Sequence, residues 1–80
     1  FPVPGAFFNF NGERYKILRA EIGNGLGKVG EVLSNKLEIA CSNNQSIKIL
    51  EIQRQGRKPQ KISEFMLGSQ IKKGLVISDV

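Results

Sequence analysis

The sequence predicts a mainly β fold, a small barrel with one short helix near its C-terminus. Three features predict it. Short stretches rich in β-branched and aromatic residues recur between turn signals. Two longer stretches of this kind change hydrophobic phase midway, as strands do where they bulge or bend. Residues 62–68 alone have helical character, in a chain of 80 residues that makes a single domain.

Taken in order, Phe7-Phe8-Asn9-Phe10 runs into Asn11-Gly12, the dipeptide most strongly tied to a tight hairpin. Residues 14–22 then read as a long strand. Tyr15 and Ile17 share one face, while Leu18, Ala20 and Ile22 fall on the other, which implies a bulge or a strand that bends between two sheets. The glycine-rich residues 23–27 read as a mobile loop, and residues 30–33 as another short strand turned at Ser34-Asn35. Across residues 37–41 the alternation puts Leu37, Ile39 and Cys41 on the buried face. Asn43-Asn44 supplies a turn, and residues 47–52 form the most β-like stretch, again with a phase change. Residues 53–61 read as a polar loop. The helix follows, with Ser63 as N-cap, Glu64 suited to the positive end and Gly68 as the stop. Residues 71–77 form a closing strand or extended tail. Five or six strands and one helix in so short a chain favour an OB-like barrel, which closes a small sheet on itself and hides its edges.

Composition narrows the chemistry. The chain has no histidine, which removes Ser-His and Cys-His nucleophile pairs and argues against a zinc site. Cys41 is the lone cysteine, in phase with Leu37 and Ile39, and reads as a packing residue. It can form no internal disulfide; with no secretory signal, the expectation is a reducing cytoplasm. No run approaches the ~18 apolar residues of a membrane helix. Glu13, Glu31, Glu38 and Glu51 are spread singly, so no motif proposes a paired general acid and base. Gly25-Leu26-Gly27-Lys28-Val29-Gly30 spells a dinucleotide fingerprint, but that motif needs a helix directly after it, and residues 32–35 lead into a turn. Asn44-Gln45-Ser46 matches a glycosylation acceptor and reads as a hairpin turn. Phe1-Pro2-Val3-Pro4-Gly5 has the look of a linker or domain entry, so the chain is expected to be a fragment cut at or just inside a domain boundary, with a processed native N-terminus as the alternative.

Charge is the feature that suggests a partner. Twelve Lys and Arg against seven Asp and Glu leave a net charge of +5, which favours a polyanion through phosphate neutralisation and counterion release. Arg54, Arg57, Lys58 and Lys61 cluster with no acid among them, and Lys72 and Lys73 form a second pair. Arg14, Lys16 and Arg19 extend the patch along a strand. The bland reading is a solvated charged loop. The aromatic residues lie in strands or the helix, away from these cations, so phosphate contacts are expected in preference to base reading.

The order of motifs adds more than any one of them. Pro4-Gly5-Ala6-Phe7 is followed by Gly12-Glu13-Arg14-Tyr15-Lys16-Ile17-Leu18-Arg19-Ala20, then Gly30-Glu31-Val32 and Leu37-Glu38-Ile39-Ala40-Cys41. Last come Ile52-Gln53-Arg54-Gln55-Gly56-Arg57-Lys58 and Ser63-Glu64-Phe65-Met66-Leu67-Gly68. This series resembles the C-terminal domain of the bacterial methionyl-tRNA formyltransferase family from Pro4 to about Gly68. It departs at Val3, where that family usually has an aromatic. The resemblance implies a two-domain enzyme that moves a formyl group from 10-formyltetrahydrofolate to the amino group of methionyl initiator tRNA. It assigns the folate and the catalytic Asn, His and Asp to a separate N-terminal domain, so none of those roles falls on this chain. Its OB-like domain holds tRNA on a positive face. That role is carried here onto Arg54, Arg57 and Lys58, with Lys16 second; Lys61, Lys72 and Lys73 rest on charge clustering alone. The alternative is the matching domain of a formyltransferase for a small sugar-nucleotide or folate substrate, packing on neighbouring domains without RNA.

Overall fold

A computed structural model describes residues 6–42 and 44–77. The expected domain entry at residues 1–5, including the departure at Val3, lies outside them, as does Asn43 of the expected Asn43-Asn44 turn.

Among the described residues, five strands and one helix form in the order β1 (Phe7–Phe10), β2 (Glu13–Gly23), β3 (Glu38–Cys41), β4 (Gln45–Arg54), β5 (Gln60–Lys61) and α1 (Ile62–Gly68). All pairings are antiparallel, in the order β1-β2-β4-β3, with β5 also on β4. The sheet curls into a half-barrel of the OB-like kind, with α1 and the following tail packed on it. Asn11 and Gly12, at φ 52 and 78, make the β1–β2 turn, the geometry for which Asn-Gly is suited.

The phase changes in β2 and β4 have one origin. Between the pairs Ile17↔Ile52 and Ala20↔Ile49 the register slips twice, leaving Leu18 extra on β2 and Leu50 extra on β4. Both strands bend at the same level. The core face thereby passes from Tyr15 and Ile17 to Ala20 on one strand, and from Ile52 to Ile49 and Ile47 on the other. Ile22 follows Ala20 but lies at the end of the sheet and is exposed.

Several expectations need correction. Residues 30–33 form no regular strand: Glu31 and Val32 make isolated bridges, to Val76 and Ile39, and the segment lies hydrogen-bonded between residues 38–40 on one side and 74–77 on the other. The supposed mobile loop is pinned. Gly25 donates its amide to Glu38 Oε2 at 2.9 Å and to Ser46 Oγ at 3.0 Å. A Cβ at Gly25 would fall 2.7 Å from that carboxylate oxygen, so close approach is what selects glycine there. Of the expected face of β3, Leu37 and Ile39 are fully buried but Cys41 only half so, while Ala40 is buried beneath the neighbouring segment. Burial raises the Cys41 thiol pKa, in keeping with packing.

The polar loop at residues 53–61 is in fact a hairpin: β4 runs on to Arg54, a turn through Gly56 (φ 80) reverses the chain, and β5 returns along β4. The helix then starts directly at Ile62. Its N-cap is therefore Lys61, with no side-chain cap, and Ser63 lies inside the first turn. The tail after Gly68 is extended, with Ile71 and Ile77 buried and Leu75 and Val76 exposed.

Candidate nucleic-acid interface

Alternation along the strands decides which cations share a face. Tyr15 pairs with Arg54 and Ile52 with Gln60, so Arg54 and Gln60 lie on the inner, core side of the half-barrel. Lys16 pairs with Gln53 and Phe7, and Glu51 with Arg19 and Lys61, on the opposite, outer side. The contiguous cluster in the sequence is thus divided by the sheet itself.

On the inner side lies an open groove of about 1030 Å³, lined by Phe10, Tyr15, Arg54, Arg57, Lys58 and Phe65 among others. Its floor is aromatic. Phe8 stacks on Tyr15 with centroids 5.3 Å apart, and Phe65 from α1 meets Tyr15 edge-on at 5.5 Å. Sequence reading separated these aromatics from the basic cluster; the β1–β2 hairpin and α1 bring them to one end. Tyr15 and Phe65 are nevertheless nearly buried, so their faces are spent on the core. Burial, with Glu13 nearby, raises the Tyr15 phenol pKa.

Arg54 is not a free cation. Its Nε and Nη2 donate to Glu13 Oε1 at 2.8 and 2.6 Å, and Nη2 lies 2.5 Å from Glu13 Oε2. The acid absent from the sequence cluster arrives from the start of β2. Among the described residues this is the one ion pair. Arg57 and Lys58 sit exposed on the hairpin tip, which is tied down by the Gln53 amide donating to the Arg57 carbonyl at 3.0 Å. Lys61 is exposed on β5 and Lys16 on β2.

Lys72 and Lys73 lie elsewhere. Lys73 donates its amide to Asn35 Oδ1 at 3.3 Å, and Gly74 to the Val32 carbonyl. They are exposed beside residues 32–35 and do not line the groove. Arg14, named only as an extension of the patch, holds its guanidinium 4.2 Å over the Phe7 ring on the outer side. The dinucleotide spelling at residues 25–30 leads into bridges at Glu31 and Val32, not a helix. Asn44 lies in the turn at φ 56, and Ser46 is fully buried in β4. Among the described residues no cluster of His, Cys, Asp or Glu could hold a metal, and no helix is long and apolar enough to cross a membrane.

This arrangement of curled sheet, helix and tail coincides with a match of residues 1–70 to the model of the formyl transferase C-terminal domain. The chain belongs to that family. Its curated relatives share one name. It is 66% identical, over all of its length, to the methionyl-tRNA formyltransferase of Pelagibacter ubique (strain HTCC1062), of which it covers 26%. It is 41% identical to those of Rhodopseudomonas palustris (strain HaA2) and Paramagnetospirillum magneticum, over 96% and 95% of its length, covering 26% and 25% of theirs. The chain therefore spans about a quarter of these relatives. Within the formyl transferase C-terminal domain family, the basic hairpin 53–61 and the β1–β2 hairpin are the parts that build the charged end of this member.

Proposed function

We propose that the chain is the tRNA-gripping domain of a methionyl-tRNA formyltransferase. It would hold methionyl initiator tRNA while a catalytic domain in the same protein transfers the formyl group of 10-formyltetrahydrofolate. The observation that carries this is 66% identity, along the whole of this chain, to about a quarter of an enzyme of that name, in a chain of net charge +5. By the same likeness, folate and catalysis belong to the remainder of the protein, and this chain has no histidine. Its own contribution is positioning. Phosphate contacts remote from the aminoacyl end add binding energy and restrict how that end approaches the formyl donor, without reading sequence. A translation enzyme of this kind works in the cytoplasm.

Binding of labelled tRNA to the purified chain across a salt series tests this. Affinity should fall steeply with salt, and should vary little between tRNA species. No measurable binding at low salt would overturn the reading.

The second reading, a domain that packs on its neighbours without RNA, has one observation in its favour. Leu26, Val29, Leu67 and Val76 are exposed aliphatics, and Leu67 is 89% exposed. Such side chains suit burial against another domain. Absence of tRNA affinity together with tight docking to the catalytic domain would favour it.

A further inference from the structure

The tRNA reading leaves open which surface meets the RNA, and the sheet presents two. The groove is the obvious candidate and is electrostatically poor. Arg57 and Lys58 face it as free cations, but Arg54 is taken by Glu13, and Glu64 adds a second carboxylate to the lining. The end of α1 also lines it at Gly68, and helix C-termini carry partial negative charge. Three positive charges against two negative, at a helix C-terminus, make a weak site for a polyanion.

The outer face of the same end is different. Arg14 and Lys16 alternate along β2, roughly 7 Å apart by strand geometry. Past the bulge, Arg19 stands in a row with Glu51 and Lys61 across β2, β4 and β5. That makes four cations and one carboxylate, and none of the five belongs to an ion pair among the described residues. Successive cations lie within the ~10 Å Debye length, so their fields add even in salt. Arg14 is held with its guanidinium carbon 4.2 Å from the Phe7 ring centroid and takes part in no ion pair among the described residues. The sign reverses farther along. The next row holds Glu21, Lys48 and Glu38, one cation against two carboxylates. On this face the positive row therefore gives way to a net negative one farther along the strands.

We propose that the outer sheet face centred on Lys16, with Arg14, Arg19 and Lys61, is the surface that takes the tRNA phosphodiester backbone. The groove behind it is a packing feature. This rests on the tRNA reading and refines it: Lys16 becomes central, and Arg54 becomes the residue that braces the hairpin.

The test compares charge-removing variants of the chain for binding of deacylated tRNA over a salt series, each checked for folding by circular dichroism. The triple variant Lys16→Ala, Arg19→Ala, Lys61→Ala should lose about tenfold or more in affinity at low salt, with the salt slope shallower by about 2 to 3. Arg57→Ala with Lys58→Ala should lose less. Glu51→Gln should bind roughly two- to fivefold more tightly, because it removes the carboxylate that stands between Arg19 and Lys61. Glu64→Gln, in the groove, should be unchanged. A gain of affinity cannot come from misfolding. Unchanged binding in the triple variant with loss in the hairpin-tip double would overturn this surface and leave the tRNA reading standing. So would tightening by Glu64→Gln and not by Glu51→Gln. Absence of binding by the unaltered chain would overturn both.

Discussion

At Glu38 the carboxylate accepts the Ser46 hydroxyl at 2.5 Å and the Gly25 amide at 2.9 Å, and both bonds favour its ionised form. The Ser46 bond leads in holding its pKa below the ordinary glutamate value, against some desolvation. A folded pKa below the unfolded one contributes stability at pH values above the unfolded pKa, about 4.3, and that contribution is lost as pH falls through the folded one. Glu38→Gln should therefore be less stable near neutral pH, and the gap should narrow as pH falls below the unfolded pKa, as read by urea denaturation across pH. None of this was visible in the sequence, where Glu38 and Ser46 are two unremarkable alternating positions. Gly30 is a sharper case. It sits at φ 89, and a Cβ there would stand 2.1 Å from the Ile77 carbonyl oxygen, whereas Gly12, at φ 78, faces open space. Gly30→Ala should cost well over ~2 kcal/mol and Gly12→Ala only about 1, in the same denaturation assay.

Helix α1 has seven residues, no side-chain cap and one buried side chain, Phe65. So short a helix does not persist by propensity alone, and packing against Tyr15 is what holds it. Phe65→Ala should remove helical signal from the far-ultraviolet circular dichroism spectrum and cost about 3–5 kcal/mol, with amide protection in β2 and β4 outlasting that in α1. Elements were legible in proportion to their periodicity. β1, β2, β4 and α1 could be read from residue spacing, and the phase changes at Leu18 and Leu50 announced the bulges. Residues 30–33 looked like a strand because Val32 and Leu33 are β-formers, yet they bridge two different neighbours. Ser63 looked like a cap because nothing in the sequence reveals that β5 runs straight into the helix. The hairpin at residues 53–61 looked like a loop because its composition is polar on both faces.

For the whole molecule, the sequence shows how much positive charge there is and the sheet decides where it points. A run such as Arg54 to Lys61 looks like one patch when written linearly, but strand alternation sends Arg54 inward and Lys61 outward. Pairing then supplies the acid that neutralises the first. That arrangement depends on contacts distant in sequence, which composition cannot show. The same distance governs the tail. Ile71 and Ile77 are buried with the strands, and Glu31 bridges Val76. Replacing both isoleucines with Ala should cost roughly 4–8 kcal/mol, enough to unfold much of the population at 37 °C in a thermal melt. The bridge between Glu31 and Val76 spans more than half the chain. Closing a loop that long comes late in folding, because its entropy must be met before its contacts form. The hairpins at Asn11-Gly12 and Gly56 can assemble while a chain is still emerging from the ribosome. The seam between Gly30 and Ile77 must wait for the whole span between them, so in pulse-labelled refolding the Ile77 amide should be among the last to gain protection.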